Sequence, residues 1–398
     1  MLVYDVDQLS EQGKYDRITI AATVCAALAL LSLTGFISNF ADTLSDFSAF
    51  YAAGHLANSS EAKLAYDLDS FRAFYGAIFP GAPAGYGWFY PPTFMLLQQP
   101  LAELSYPWAR AVWLVGTFGV YIWAMRPFAK SWQHWVLIVS IPAIAFHWHS
   151  GQTGFLIAAL FAFAITGLDR QDARGDWEAG IAIGLLTIKP HLWLLIPIFL
   201  MIEGRWRTIA VAGFVTLLMV MLSVLAYGIG PWHALVASAF NGYVDNHANQ
   251  VQLFAKMGNI GGLMQYWGFA GSTAPLLLAV ATLSTVMLYG MKKADAPLAL
   301  RLGLAVSASF LIAPHNMIYD HTLFVPLCAF MVASGFLVDR PLLQVSTALL
   351  LAWPALFALV PGLDGFPFSF FVVLFFALAI GMSKIGGYRP RQRVAGGC

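Results

Sequence analysis

Residues 177–202 read WEAGIAIGLLTIKPHLWLLIPIFLMI, and the architecture turns on how this stretch is threaded. Two apolar runs, 177–188 and 191–202, flank Lys189-Pro190. A bilayer core takes about 20 apolar residues per crossing helix, with roughly 17 at the short end. Each run falls short of that length. The pair therefore reads as a half-crossing hairpin buried among neighbouring helices, where irregular backbone finds protein partners instead of lipid. A second short pair, 132–148 with 152–168, turns at His149-Ser150-Gly151.

On either side of these pairs, longer apolar runs recur at 18–40, 107–125, 208–227, 274–290, 297–313, 321–338, 342–360 and 368–383. The chain is 59% hydrophobic and only 10% charged, against about 25% charged in soluble domains. An ordinary cytosolic enzyme is excluded. A formal net charge of +1 argues against nucleic acid as a partner. We expect an all-α polytopic membrane protein with about twelve transmembrane or half-crossing helices, forming a single integral-membrane domain over residues 1–398. The first run follows Lys14 and Arg17 and exceeds the roughly 7–15 residue core of a cleavable signal peptide, so it reads as a retained signal anchor.

The distribution of cations tests this threading. With both termini cytoplasmic, Lys63, Arg72, Arg110, Lys189 and Lys256 are the basic residues left on the opposite face, and all the others fall on the cytoplasmic side. Merging either short pair into one crossing would invert every later loop and destroy the bias. The outer face then collects the long first loop 41–106, the turns at 149–152 and 189–190, and the loops 228–272, 314–320 and 361–367. The cytoplasmic connections are short and basic, without a phosphate-binding or dinucleotide motif. Cys25, Cys328 and Cys398 are too scattered for a disulfide framework or a metal knuckle.

Chemistry is thus expected on the outer face. Phe47, Phe50, Tyr51 and Gly54 recur at helical spacing, as do Phe71, Phe74, Tyr75 and Ile78, which predicts two amphipathic helices lying on the membrane surface. Asp46 stands at the front of the first. It either caps that helix or serves as a general base. The stretch from Tyr86 to Pro92 ends in Tyr90-Pro91-Pro92, held extended by two prolines. Its rings form an interface belt or flank a sugar or lipid headgroup. Lys189, at the apex of an apolar hairpin, either snorkels to the headgroups or meets an anion in a cavity. Residues 313–321 read APHNMIYDH, a dense polar segment between two spans. Phosphate contact through His or Asn suits it better than a metal, because no further His-x-x-His or paired-carboxylate spacing accompanies it. His147, His149 and Gln152 form a weaker group, and residues 241–250 a weaker one still. Asp5-x-Asp7 and Asp67-x-Asp69 carry no weight as metal sites.

Taken in order, Asp46 with Tyr51, Tyr90-Pro91-Pro92, Gly151-Gln152, Lys189-Pro190 and Pro314 through Asp320-His321 give the chain a resemblance to glycosyltransferase family 87, within the GT-C class of membrane glycosyltransferases. Ala313 departs from the Ser more usual there. The resemblance implies inverting transfer of a sugar from a polyprenyl-phosphate donor to a lipid or glycan acceptor, among membrane lipids, at the periplasmic face of a bacterial inner membrane. It implies Asp46 as the catalytic base. Lys189, His315, Asn316 and His321 would contact the donor phosphate. Tyr51, Tyr90, His149, Gln152 and Asp320 would contact substrate. No cofactor is expected, and metal-independent chemistry is favoured. A transporter or lipid flippase is the alternative from polytopic character alone, and a non-catalytic assembly or lipid-binding subunit is a third.

Overall fold

The computed structural model describes residues 44–82, 87–241, 254–269, 271–337, 340–360, 362 and 365–383. The predicted first span at 18–40, the aspartate pair at 5 and 7, Cys25, Cys398, Tyr86 and nearly all of 241–250 lie outside them. Among the described residues all regular structure is helical.

The outer segment opens with α1 (Phe47–Asn58) and α2 (Leu68–Ile78), then α3 (Pro92–Gln98) descends into the helical body. There follow α4 (Tyr106–Met125), α5 (Trp132–Ser140), α6 (Pro142–Ser150), α7 (Gly154–Arg170), α8 (Ala173–Leu185), α9 (Ile196–Glu203), α10 (Trp206–Tyr227) and α11 (Gly230–Asn241). The remainder is α12 (Ile260–Tyr266), α13 (Ala274–Lys293), α14 (Leu298–Ile312), α15 (Phe324–Ala333), α16 (Pro341–Leu359) and α17 (Phe368–Gly381). The core runs along α7, whose Phe155, Ala158, Ala162 and Ile165 are buried against α4, α8 and α15.

Two expectations are corrected here. The run 132–148 is not one helix: it breaks between α5 and α6, because Pro142 cannot continue the ladder and holds Ile141 extended at ψ 134. Nor does α1 lie on a surface. Ser48, Ala49, Ala52 and Ala53 are buried along with Phe47, Phe50 and Tyr51, since small residues on the second face let neighbours close over it. By contrast α2 keeps the expected two-faced character, burying Phe71 and Tyr75, and the Asp67 carboxylate caps it by accepting from Ser70 N at 2.9 Å.

Residues 177–202 fold back on themselves as the sequence indicates. Helix α8 passes through a 3₁₀ turn, Leu186–Ile188, to Lys189, and a second turn, Pro190–Trp193, leads down into α9. Asp176 and Glu203 therefore share the base of the hairpin, and α8 spans about 20 Å between that base and Lys189 at 1.5 Å per residue. The base gathers cations expected on the cytoplasmic side. Asp176 pairs with Arg205 at 3.0 Å, and Glu203 pairs with Lys292 at 2.9 Å and Arg301 at 2.6 Å. Charge and site thus lie at opposite ends of the helices.

Two described helices, α10 and α13, are long and apolar enough to cross a bilayer. Neither is the buried core helix of a soluble protein: Leu225 is 80% exposed and Leu278 69%. Apolar side chains left outside along a whole helix require an apolar solvent. Helix α10 docks on α8 through Gly180 and Gly184, where an added Cβ would come within 2.6 Å of Val211 and Val215. Small residues four apart allow this close approach.

Candidate active site

Asp46 occupies the position before α1, but its side chain makes no capping hydrogen bond. The carboxylate reaches instead to the turn between α6 and α7, where Gln152 Nε2 donates to Oδ2 at 2.8 Å. Gly151 makes this approach possible. It closes α6 at φ +66, and a Cβ there would lie 2.7 Å from Phe47 Cβ and 3.2 Å from Ser45 Oγ. Trp113 Nε1 donates to the Gly151 carbonyl at 2.9 Å and fixes the turn from α4. We expect Gly151→Ala to destabilise the protein by about 1–3 kcal/mol through left-handed strain and overpacking. Thermal unfolding should show this together with a fall in activity, because Asp46 shares the displaced contact. An unchanged melting temperature would refute the close-packing argument.

The other end of Gln152 continues the chain. Its Oε1 accepts from Tyr90 OH at 2.8 Å. Tyr90 and Trp88 are buried among Phe50, Phe94 and Trp113 in edge-to-face and stacked contacts, so they are core rather than an interface belt. The Lys189 ammonium lies 5.5 Å from the Tyr90 ring centroid and 4.9 Å from that of Tyr319. Lys189 does not snorkel. It is 2% exposed and forms an ion pair with Asp320, equally buried. Asp320 Oδ2 also accepts from Met317 N at 3.0 Å, which holds the carboxylate at the start of the Ile318–Leu323 turn.

The sequence therefore converges from five places on one connected array: Asp46, Gln152, Tyr90, Lys189 and Asp320. Asp46 is partly exposed, while the rest is buried. Desolvation raises the Asp46 pKa above its ordinary value, opposed by the Gln152 hydrogen bond and the charges of Lys189 and Lys256. A poised, reachable carboxylate beside a buried cation can remove a proton from a hydroxyl and stabilise a departing anion.

His315 stands at the margin, partly exposed, with its ring 6.2 Å from Phe89 and 6.5 Å from His191. The remaining candidates are engaged elsewhere. Tyr51 OH donates to the Leu104 carbonyl at 2.8 Å. His149 is exposed, and its carbonyl accepts from Arg110 at 3.3 Å. Asn316 Nδ2 donates to Phe310 O at 2.6 Å while its Oδ1 accepts from Gly258 N at 2.8 Å. His321 Nε2 meets Ser369 Oγ at 2.8 Å, and Nδ1 lies 3.4 Å from the Leu350 carbonyl.

Two further residues support the site, Tyr319 from the polar segment 313–321 and His147 from the weaker group with His149 and Gln152. Tyr319 supplies the second ring over Lys189, and His147 Nε2 donates to the Tyr319 carbonyl at 2.9 Å, pinning that turn against α6. Local spacing does not show these contacts, since both span more than a hundred residues. Among the described residues no three His, Cys, Asp or Glu converge as a metal-holding group.

A family model described as glycosyltransferase family 87 matches residues 88–314, which include Tyr90, Gln152 and Lys189. Asp46 precedes the matched region, and His315 through His321 follow it. No curated protein and no solved structure matches the chain.

Proposed function

This chain belongs to glycosyltransferase family 87, and on that premise we propose that it moves a sugar from a polyprenyl-phosphate donor to a lipid or glycan hydroxyl, with inversion, at the outer face of a bacterial inner membrane. Asp46 takes the acceptor's proton as the hydroxyl oxygen bonds to the anomeric carbon. The bond from that carbon to the phosphate oxygen breaks, and its electron pair leaves with polyprenyl phosphate. Lys189 shares its charge between Asp320 and the phosphate, with His315 at the same margin. The Lys189 ammonium contributes charge stabilisation to the departing phosphate, and the reaction is proposed to proceed without a metal. Threading the chain about twelve times, with both termini cytoplasmic, presents Asp46 and Lys189 on the outer side.

One observation carries this most strongly: the partly exposed Asp46 carboxylate is held by an amide rather than used as a helix cap, and the same array ends on a buried ammonium. The test is transfer from a panel of synthetic farnesyl-phosphate sugars by purified protein in nanodiscs, with the anomeric configuration of product read by NMR. A product retaining the donor's configuration would overturn the single-displacement mechanism.

The pH profile gives a further expected result. The base acts when ionised, and its pKa is raised, so kcat/KM should fall on the acid side at a pH above the ordinary aspartate value of about 3.9. Lowering pH through that raised value protonates Asp46 and removes the base. A profile flat down to the ordinary aspartate range would argue against Asp46 titrating in the reaction.

A further inference from the structure

Sugar departure changes the charge that the site must hold. The array of Asp46, Gln152, Tyr90, Lys189 and Asp320 contains two carboxylates and one ammonium, and Asp320 already neutralises that ammonium. A phosphodiester donor brings one negative charge. The monoester left behind carries about −1.5 to −2 at neutral pH, with its second pKa near 6. A dianion in a partly buried site calls for a second cation.

Lys256 is placed to be that cation. Its segment is clamped onto the turn that bears Tyr319 and Asp320: Gly258 N and Asn259 Nδ2 both donate to Asn316 Oδ1, at 2.8 and 3.3 Å, while Phe254 and Met257 pack on Met317 and Tyr319. Gly258 allows no side chain there, since a Cβ would meet Phe310 at 2.5 Å and Ser369 Oγ at 2.9 Å. The backbone around Lys256 is therefore fixed. The side chain is partly exposed, and its ammonium lies 5.9 Å from the Phe357 ring centroid. Among the described residues no carboxylate forms an ion pair with it. It is nevertheless close enough for its charge to be felt at Asp46.

We propose that Lys256 is the second phosphate-binding cation, engaging the extra charge that develops as the sugar leaves, a placement that rests on the sugar-transfer function above. Asn316 then acts as a positioning residue, holding the Lys256 segment against the Asp320 turn.

The test uses the full chain in nanodiscs and farnesyl phosphate as probe, with binding followed by tryptophan fluorescence at pH 8 and pH 5. Lys256→Gln should weaken binding about tenfold at pH 8, equivalent to roughly 1.4 kcal/mol, and clearly less at pH 5, where the monoester carries about one charge. Lys256→Arg should bind like the parent, and farnesol should bind all forms alike. An unchanged affinity in Lys256→Gln at pH 8, or an equal loss at both pH values and for farnesol, overturns the assignment. If the double variant Lys189→Met with Asp320→Asn loses affinity and Lys256→Gln does not, only this inference fails. If the parent protein binds no farnesyl phosphate, the proposed donor class fails with it.

Discussion

Replacing Asp46 with Asn should lower sugar transfer by about 10²-fold or more, while donor affinity changes little. The amide keeps the size of the carboxylate but cannot accept a proton near neutral pH. The lost interaction belongs to the transition state, so turnover falls rather than binding. Structural damage should be small, because the Asp46 side chain does not cap α1 and, among the described residues, one side-chain hydrogen bond, from Gln152, is at stake. Were Asp46 merely structural, Asp46→Asn would give lower yield and near-normal specific activity. Turnover and donor affinity measured on well-folded protein separate the two, and normal turnover would remove Asp46 as the base.

The second large effect concerns Lys189. Its truncation leaves the Asp320 carboxylate buried without a cation, and breaking such a pair costs about 3–5 kcal/mol. Lys189→Met alone should therefore fold poorly. Combining it with Asp320→Asn removes both charges and keeps an acceptor for the Met317 N–H, so thermal stability should largely return. Activity should not return, because the donor phosphate has lost its cation. A stable double variant with parental turnover would reduce Lys189 to a structural role.

Much of the fold was legible in the sequence. Length and apolarity marked most helices to within a few residues, and the pair of short runs around Lys189-Pro190 gave the hairpin. Pro142 signals the break at Ile141, but the unbroken apolar run across it reads as one helix. The burial of α1 was not legible, because its periodic aromatics describe one face, and only the tertiary neighbours reveal that the alanine face is covered too. The site divides in the same way. Asp46 and Lys189 stood out as charges in apolar surroundings. Their bridge through Gln152 and Tyr90 joins residues 106 and 62 positions apart, which no local pattern encodes. His321 and Asn316 looked like ligands by type, yet each is anchored by hydrogen bonds within the fold. Composition identifies polar groups in a polar segment without showing which of them the fold itself engages.

The amide between Asp46 and Tyr90 has a consequence for proton traffic. An ionised carboxylate can only accept, so Gln152 must turn its NH₂ toward Asp46 and its oxygen toward Tyr90, whose hydroxyl is thereby committed as a donor. An amide neither takes up nor releases a proton at ordinary pH, which makes Gln152 an insulator rather than a wire. Through this bridge, a proton captured by Asp46 would have no way inward toward Lys189. On the proposed mechanism it leaves from the partly exposed Asp46 itself, on the side where the acceptor hydroxyl would arrive. If Asp46 is the base, it would then be reset only once the product has left that side, which would tie each cycle of proton release to product departure.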